Sequence, residues 1–426
     1  MISKAQHQEA YVWVWLPGAT TPVVAGRISR AGDRFLFNYG QSYLERADAL
    51  SLYLPELPLQ AGLINPLPGL SMAGVLRDSA PDAWGRRVVL NRLMGTQARQ
   101  ADIGTVDELT YLLHSGSDHI GALDFQQSPH EYVPRQAPPA SLEELLSATE
   151  RLEQGVTLSP ELDQALLHGS SLGGARPKAA VAGEDHQFIA KFSSSNDTYN
   201  VVQAEFMAMR LGQAVGLQVA PVHLEKIAGK DVLLIERFDR RWSQKGWQRR
   251  AMVSALTLFG LDEMMARYAS YSDLAEIIRY RFSQPKKTLK ELFARLVFNV
   301  LCGNTDDHAR NHAAFWDGDG LSLTPAYDIC PQMRTGNEAT QAMLIHGEDR
   351  WSRLTSCLAA APHFLVDATD AHELIEAQVA GIQAHWNEVA AEANLSAQDR
   401  ALLANRVFFN PFVFEGAPAK LHGRLT

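Results

Sequence analysis

The sequence predicts an α+β protein of two domains, or at most three, with a β-rich N-terminal part and a mostly helical C-terminal part. Its 426 residues exceed the roughly 250 to 300 residues at which a single hydrophobic core stops growing. Apolar residues alternate with polar ones in the first sixty residues, whereas helical spacing prevails later in the chain. With 46% hydrophobic and 20% charged residues, the composition excludes a chain that is disordered throughout.

Charge and cysteine content narrow the function classes. The formal net charge of −9 argues against broad, sequence-blind binding of nucleic acid or anionic lipid. Three cysteines are too few for a disulfide framework, which favours a reducing compartment. The apolar run at 11–16 is too short for a signal peptide, and no run of about 18 apolar residues could cross a bilayer. We therefore expect a soluble, cytoplasmic protein without membrane contact.

The N-terminal domain is predicted to begin with a small sheet and to continue in helices. Three β-type runs come first, with turn residues Gly32 and Asp33 between the last two. Helical patterns follow at 83–94, where the start signal is Ser79 with Pro81 and Asp82, and at 109–113, where Thr105 and Glu108 have the spacing of a capping box. The predicted strands lie at 11–16, 22–29 and 34–40.

A proline-rich segment at 126–140 marks the predicted domain boundary, since it has no apolar periodicity. Ser141 and Glu144 then form a capping box for a helix that ends near Gly155. We accordingly divide the chain into an N-terminal domain of residues 1–135 and a C-terminal domain of residues 141–426.

The C-terminal domain is predicted to hold a few strands and then mainly helices. A glycine-rich segment precedes the first strand, and a hairpin that turns at Gly229 follows the first helix. Thr288 and Glu291 are predicted to cap a long helix that breaks at Gly303. The predicted segments are a strand at 187–192, a helix at 204–216, hairpin strands at 222–227 and 232–238, and a strand-like run at 321–329.

The polar segment 303–316 carries the densest set of chemically active residues. Asp306 and Asn311 have the D-x-x-x-x-N spacing of phosphoryl-transfer loops, in which the aspartate accepts the hydroxyl proton and the asparagine binds Mg²⁺. Asp328, expected at a strand end, would supply a further carboxylate ligand. The structural alternative is that Asp306 and Asp307 cap helices and that Asp328 is a turn residue.

Upstream residues offer positive charge for phosphate groups. Lys191 lies in an apolar strand, and Glu205 on the next helix is its candidate partner; an edge-strand lysine is the alternative. Within 169–178, the glycines allow close backbone approach, and Arg176 and Lys178 suit phosphate oxygens. The segment lacks the lysine and hydroxyl residue of a P-loop and the G-x-G-x-x-G of kinase loops, so by itself an exposed turn is the default interpretation.

The order of five motifs resembles the HipA-type serine/threonine kinases, the toxin halves of bacterial toxin–antitoxin pairs. The motifs are SLGGARPK at 171–178, AKF at 190–192, IERFDRR at 235–241, GNTDDHARN at 303–311 and YDI at 327–329. Segments 16–30 and 75–89 also resemble the companion N-terminal domain of that family. The resemblance implies a bilobed, protein-kinase-like α+β fold with a mainly β N-terminal domain and a largely helical C-terminal lobe.

The resemblance also implies roles for individual residues. Asp306 would be the catalytic aspartate, with Asn311 and Asp328 as Mg²⁺ ligands, and Ser171 would be the autophosphorylated serine that silences the enzyme, although the adjacent Ser170 leaves that site open. Arg176 and Pro177 depart from the family pattern, and the proline would either stiffen the phosphate loop or change its phosphate contacts. The ATP-binding set implied by the resemblance is Gly173, Gly174, Ala175, Arg176, Pro177, Lys178, Lys191, Glu236, Arg237, Phe238, His308, Asn311 and Tyr327, with residues 236–238 as the adenine hinge.

The resemblance implies two partners. One is a protein substrate, which in the family is an aminoacyl-tRNA synthetase. The other is an antitoxin with a helix-turn-helix domain, which would make most of the DNA contact. Two other functions remain open. One is metal-dependent hydrolysis at His308 and His312, although His312 is expected on a helix surface. The other is a catalytically weak binding module that acts with the antitoxin as a co-repressor. The basic run 237–250 is interpreted as a solvated hairpin or loop, with a nucleic-acid or partner patch as the alternative.

Overall fold

The computed structural model describes residues 7–135, 140–156, 158–171, 176–194, 197–334 and 336–425. The β-strands are β1 (Glu9–Val14), β2 (Val23–Ala31), β3 (Arg34–Tyr39), β4 (Leu123–Gln126), β5 (Lys178–Ala182), β6 (Gln187–Phe192), β7 (Val222–Ile227), β8 (Lys230–Glu236), β9 (Arg240–Ser243), β10 (Gly246–Arg249), β11 (Met252–Ser254), β12 (Ala313–Trp316) and β13 (Leu321–Leu323).

The α-helices are α1 (Gln41–Leu44), α2 (Gly74–Arg77), α3 (Ala83–Met94), α4 (Glu108–His114), α5 (Leu142–Glu153), α6 (Pro160–His168), α7 (Val201–Ala214), α8 (Ala255–Leu258), α9 (Tyr271–Arg281), α10 (Pro285–Cys302), α11 (Leu354–Ala360), α12 (Ala368–Glu392) and α13 (Ala397–Leu403). Short 3₁₀ helices occupy Gly95–Gln100, Ile103–Thr105, Ala266–Tyr268, Ala309–Asn311, Ala361–Phe364, Pro411–Phe414 and Ala419–Leu421.

Contacts divide the chain into two compact units. The first contains Met1–Asn196, Glu225–Val253 and Phe315–Asp319, and the second contains Asp197–Leu224, Ser254–Ala314 and Gly320–Thr426. Part of the region predicted as the C-terminal domain is thus in the same unit as the N-terminal strands. The predicted boundary at 136–140 remains a prediction, and residues 136–139 of it lie outside the described residues.

The first unit opens with an antiparallel sheet in the order β3–β2–β1–β4. The three predicted strands are confirmed, and Gly32 has the positive φ of +65° that the β2–β3 turn requires. Strand β4 was not predicted, although it is buried along its whole length. It pairs antiparallel with β1, with Tyr11 opposite Gln126.

A second sheet of this unit carries β5, β6 and β8 in neighbouring positions, and β8 is joined to β7 by the predicted turn at Ala228 and Gly229. Helices α3, α5 and α6 share one hydrophobic core with this sheet. The core contains Trp84, Val88, Leu145, Leu146, Leu166, Ala190, Phe192, Val232 and Leu234. Helix α3, from the N-terminal region of the sequence, therefore packs in the same core as the strand that carries Lys191.

Two predicted helix starts in the first unit are confirmed and one is wrong. The Asp82 side chain caps α3 by accepting from Gly85 N at 2.8 Å, and Ser141 and Glu144 form the predicted capping box of α5. At α4 the cap is Asp107, which accepts from Thr110 N at 2.9 Å. Glu108 lies inside the helix and pairs with Arg86 at 2.6 Å.

The second unit is mainly helical, and α10 is its most buried long helix. We predicted that Thr288 and Glu291 would cap α10, which is wrong, because Pro285 starts the helix one turn earlier. Thr288 donates instead to the Gln284 carbonyl at 2.8 Å, and Glu291 pairs with Arg295 at 2.9 Å. The predicted stop at Gly303 is confirmed.

Helices α9, α11 and α12 all contact α10, and α12 also contacts α7. All three cysteines are buried and free. In the described part of the chain, no helix combines the length and the apolar content needed to cross a membrane.

Candidate active site

The segment that carries the predicted catalytic residues follows directly after α10. Gly303 ends the helix with a left-handed φ of +73°, and a β-carbon there would lie 2.7 Å from the Val407 carbonyl oxygen. Asn304 then donates its side-chain amide to Asn299 Oδ1 at 3.0 Å, and Gln332 N donates to the Gly303 carbonyl at 2.9 Å. These bonds fix the start of the segment to the buried helix that precedes it.

Asp306 reaches solvent from this segment, with Asn311 beside it. The Asn311 side-chain amide points back to the Asp306 carbonyl at 3.4 Å. Partial desolvation raises the pKa of the Asp306 carboxyl; the charge of His308 opposes the rise, and the carboxylates of Asp328 and Asp307 add to it. Asp306 and Asp328 are therefore close enough for their negative charges to repel each other.

Asp328 lies in a loop, which differs from the strand end that we predicted, because β13 stops at Leu323. Its backbone has a left-handed φ of +57°, a conformation that aspartate tolerates better than most residues. Tyr327 fixes this position, since its hydroxyl donates to the Arg310 carbonyl at 2.7 Å. A strained backbone of this kind is common where a side chain must point in one direction for function.

Behind the exposed residues, Asp307 is buried in a polar cluster. His312 Nε2 lies 2.9 Å from Asp307 Oδ2, and the Tyr271 hydroxyl donates to the same oxygen. Asn299 donates in turn to the Tyr271 hydroxyl at 3.3 Å. Burial acts to raise the pKa of Asp307, but His312 and the hydrogen bonds from His312 and Tyr271 outweigh it and lower the pKa.

The expectation that His312 lies on a helix surface is wrong, because His312 is 3% exposed. Tyr271 and Asn299 are functional-site neighbours that the sequence analysis missed. Asn299 gave a signal, since it is one polar residue within the apolar run LVFNVLC of α10. Tyr271 gave no sequence signal, because it reaches the loop from another helix.

A small cavity of about 10 Å³ lies beside the cluster around Asp307, lined in part by Asn299, Asp307, Asn311 and His312.

The donor chemistry of the segment fits a magnesium ion. Asn311 and Asp328 offer an amide and a carboxylate oxygen, the hard ligands that Mg²⁺ prefers when substrate phosphates and water complete its shell. Burial is the main cause of the raised pKa of Asp306, and a cation would offset the repulsion from Asp328 and Asp307 that adds to it. Among the described residues, no group of three or more His, Cys, Asp or Glu side chains is arranged to hold a metal ion.

In the first unit, the two predicted phosphate-binding lysines lie opposite each other on neighbouring strands, Lys178 on β5 and Lys191 on β6. Both side chains are buried, and Lys178 Nζ lies 2.7 Å from Asp82 Oδ2. Trp84 Nε1 also donates to the Lys178 carbonyl at 3.1 Å. The predicted pairing of Lys191 with Glu205 joins residues of different units and stays a prediction.

The predicted phosphate loop is only partly described. Gly173, Gly174 and Ala175 lie outside the described residues. Arg176 is half-buried, and Pro177 is buried, with its carbonyl accepting from Phe192 N at 3.0 Å. The end of the loop is therefore tied to strand β6.

The two candidate autophosphorylation sites are buried just before this loop. Ser170 Oγ donates to the Leu167 carbonyl at 2.7 Å and accepts from Gly116 N at 3.2 Å. Ser171 Oγ donates to the Gly116 carbonyl at 2.8 Å. Both serines are at most 1% exposed, so a kinase could reach neither of them without a local rearrangement.

The predicted hinge follows β8. Glu236 is half-buried and lies 2.8 Å from His186 Nδ1, which raises the pKa of His186. Arg237 continues the pairing with β6, since its N–H donates to the Gln187 carbonyl at 2.8 Å. The Phe238 ring meets Phe315 edge to face, with ring centres 6.0 Å apart. The Arg237 side chain points away into a buried ion network with Asp118 and Asp239.

Two protein-family models match this chain. Residues 14–126 match the family described as the HipA N-terminal domain, and residues 170–386 match the HipA-like C-terminal domain, which is half of the chain. Among the curated proteins similar to this chain is "Putative kinase Y4mE" of Sinorhizobium fredii, which is 26% identical over 56% of this chain and 60% of its own length. The serine/threonine-protein kinase toxin HipA of Shewanella oneidensis is 25% identical over 37% of this chain and 42% of its own length. The chain therefore aligns with about half the length of these curated relatives.

A solved structure of HipA from Shewanella oneidensis MR-1, in complex with HipB and operator DNA, has a TM-score of 0.67 to this chain. The match covers 92% of this chain and 94% of the other at 19% identity, which shows a shared fold. The predicted α+β, kinase-like fold is confirmed, as is the resemblance drawn from the motifs. Because the N-terminal and C-terminal family matches occur together and in order, this chain belongs to the HipA family.

Proposed function

We propose that this chain is an ATP- and Mg²⁺-dependent serine/threonine protein kinase. The observation that carries the proposal is the grouping of Asp306, Asn311 and Asp328 in the second unit, where partial burial raises the pKa of Asp306 and the nearby carboxylates of Asp328 and Asp307 add to the rise. Phosphoryl transfer needs a carboxylate near the acceptor hydroxyl and hard oxygen ligands for the metal. The segment 303–316 and the loop of Asp328 together offer the carboxylate and the oxygen ligands.

Each residue has a defined part in the proposed reaction. Asp306 orients the hydroxyl of the acceptor side chain and accepts its proton at a carboxylate oxygen. Asn311 and Asp328 would hold Mg²⁺, which neutralises the charge of the nucleotide phosphates when it is bound. His308, whose charge lowers the pKa of Asp306, would lie beside the nucleotide together with Tyr327.

The remaining nucleotide-binding residues are proposed from the family resemblance. Lys191 would bind the α- and β-phosphates, since it is a buried cation on β6. The loop that ends in Arg176, Pro177 and Lys178 would cover the phosphates. Lys178 is paired with Asp82, so we assign it mainly to holding the end of this loop. Residues 236–238 would meet the adenine through the backbone.

Regulation is proposed to occur at the buried serine pair. Phosphorylation of Ser171, or of Ser170 beside it, would place a doubly charged group where the hydroxyls now bond to Gly116. Such a group could not stay buried without a partner, so the segment would have to leave its site. The loop would then no longer cover the nucleotide.

For partners, we propose a small antitoxin with a helix-turn-helix domain and a protein substrate of the kind that family members phosphorylate, an aminoacyl-tRNA synthetase, whose modification would inhibit translation. The HipA relative was solved with HipB and operator DNA, which supports an antitoxin of this type. With a net charge of −9, this chain is a poor general ligand for DNA, so the antitoxin would make most of the DNA contact.

The test is incubation of the purified protein with labelled ATP and Mg²⁺, followed by mass spectrometry of residues 169–178. We expect label on Ser170 or Ser171 in the wild type and none in Asp306→Ala. Asp319→Ala removes an exposed carboxylate outside the site and serves as the matched control, which we expect to be labelled like the wild type. Full labelling of Asp306→Ala would refute the assignment.

The alternative function, a catalytically weak module that represses transcription with its antitoxin, makes a different prediction. In that case the chain would bind the antitoxin but not ATP, and Asp306→Ala would not relieve any inhibition of growth. Calorimetry with ATP and Mg²⁺ separates the two functions directly.

A further inference from the structure

A buried network of four charged side chains joins the N-terminal region to the segment that follows β8. Arg237 and Arg240 are 1% and 2% exposed, and they pair with Asp118 and Asp239, which are 8% and 6% exposed. Arg240 Nη2 lies 2.8 Å from Asp118 Oδ1, and Arg237 Nη2 lies 2.8 Å from Asp239 Oδ2. Arg237 Nη1 also donates to Asp118 Oδ2, so Asp118 bridges both arginines.

Backbone groups complete the network on the N-terminal side. Arg237 Nη2 donates to the His119 carbonyl at 3.1 Å, and Arg240 Nη1 donates to the Gly121 carbonyl at 2.9 Å. In return, Gly121 N donates to Asp239 Oδ2 at 2.8 Å. The segment 118–121 is therefore bonded to the post-β8 segment through side chains and backbone in both directions.

A further carboxylate, that of Asp124, contacts segment 118–121 through His119. Asp124 lies 3.2 Å from His119 Nε2 and 2.6 Å from Arg135 Nη2. His119 Nδ1 lies 2.7 Å from the Ser79 carbonyl, so the ring is fixed at both nitrogens. Asp124 thus belongs to the same unit as Asp118 and is also buried, but its bonds end within the N-terminal region.

The network attaches at the residue in the middle of the proposed adenine hinge. Arg237 lies between Glu236 and Phe238, and its backbone N–H is bonded to Gln187 of β6. Its guanidinium is fully committed to Asp118, Asp239 and the His119 carbonyl, so it is not available to a nucleotide. The charge-assisted bond between Asp118 and Arg237 restrains both side chains. We therefore expect a change at Asp118 to shift the backbone of Arg237.

We propose that Asp118 is a positioning residue for nucleotide binding, through which the N-terminal region sets the conformation of hinge residues 236–238. This inference rests on the proposed kinase function. It gives the N-terminal region a part in the reaction itself: the region holds the hinge, and a partner that displaced segment 118–121 would weaken ATP binding without touching the nucleotide.

The test compares Asp118→Asn with Asp124→Asn in the full chain. The measured quantities are the KM for ATP, kcat, the ratio of ATP to GTP affinity, and the thermal unfolding temperature. For Asp118→Asn we expect a KM for ATP at least tenfold higher, a smaller change in kcat, and a weaker preference for ATP over GTP, because the hinge reads the base. Asp124→Asn should change the KM for ATP and the nucleotide preference less than twofold, even if it lowers the unfolding temperature as much as Asp118→Asn does.

A second pair of variants covers the case in which Asp118→Asn does not fold. Arg240→Lys keeps the charge but loses the forked bond to Asp118 and Asp239, and Arg135→Lys makes the same change at Asp124. We expect the KM and selectivity changes in Arg240→Lys and not in Arg135→Lys. Equal changes in both members of a pair, or none in the Asp118 and Arg240 variants, would overturn the inference. A wild-type chain that binds no ATP would instead refute the proposed function.

Discussion

Gly85 packs directly on the backbone of Ser170, so that a β-carbon at position 85 would lie 1.8 Å from the Ser170 carbonyl oxygen. Gly85 lies in α3, where glycine costs about 1 kcal/mol relative to alanine. The close approach accounts for that cost, because no larger residue fits while Ser170 keeps its place. The buried serine pair is therefore held by helix α3 on one side and by Gly116 on the other.

We predict that Gly85→Ala displaces Ser170 and lowers the free energy of unfolding by about 1 to 3 kcal/mol, despite the better helix propensity of alanine. Urea unfolding measures the loss, and hydrogen exchange at residues 169–171 should rise. Gly336→Ala is the control, since no atom lies within 4 Å of a β-carbon there, and it should change stability by less than about 0.5 kcal/mol. Unchanged stability in Gly85→Ala would show that Ser170 is not held by this contact.

The buried ion network should make the first unit sensitive to acid. Burial acts to raise the pKa of Asp239, but the charges of Arg237 and Arg240 outweigh it and lower the pKa to about 2. A carboxyl with a depressed pKa in the folded state contributes stability above its unfolded pKa, and this contribution is lost as the pH falls from about 4 towards 2. We expect a loss of about 1 kcal/mol from Asp239 by pH 3.

The measurement is urea unfolding of the wild type and Asp239→Asn at several pH values between 6 and 3. Asp239→Asn should be less stable at pH 6, and the difference between the two proteins should shrink by about 1 kcal/mol as the pH falls to 3. A difference that stays constant over this range would mean that Asp239 is not the titrating group.

Local sequence signals predicted much of the fold, and they failed where a nearby residue competed for the same role. The Ser141–Glu144 box is confirmed, because no other capping residue competes at that helix start, whereas at α3 the cap is Asp82 and not Ser79, with which the predicted start signal begins. At α4, Asp107 lies closer to the helix than Thr105, the predicted cap, and takes its place. At α10, Pro285 starts the helix before Thr288, although the exposed lysines between them gave no apolar signal.

In the candidate site, the sequence indicated the loop but not what supports it. The spacing of Asp306 and Asn311 is local and could be read directly. The basic run 237–250 was interpreted as a solvated hairpin or loop: the hairpin of β9 and β10 is present, but Arg237 and Arg240 are buried. One of their two counter-charges, Asp239, lies within the run itself, whereas the other, Asp118, lies more than a hundred residues earlier, so no local pattern could have predicted the pairing with Asp118.

The buried Tyr271 hydroxyl should contribute more to stability than an ordinary buried tyrosine hydroxyl. It donates to the Asp307 carboxylate, and hydrogen bonds to charged groups are worth about 1.5 to 3 kcal/mol against about 1 kcal/mol for neutral ones. Tyr111 is the matched control, because it is equally buried and donates to the neutral Ile103 carbonyl at 2.6 Å. We expect Tyr271→Phe to lower the free energy of unfolding by about 2 kcal/mol and Tyr111→Phe by about 1 kcal/mol. Equal losses in urea unfolding would show that Asp307 carries no charge in the folded protein.

The left-handed backbone of Asp328 allows its effects on stability and on activity to be separated. Asparagine tolerates a φ of +57° nearly as well as aspartate, whereas alanine pays about 1 kcal/mol or more. Asp328→Asn should therefore unfold close to the wild type, and Asp328→Ala should be less stable than Asp328→Asn by about 1 kcal/mol in urea. Both variants should lose Mg²⁺-dependent phosphorylation, because neither supplies a carboxylate to the metal. Activity retained in both variants would remove Asp328 from the metal site, and equal stability of the two variants would show that the loop relaxes once the carboxylate is gone.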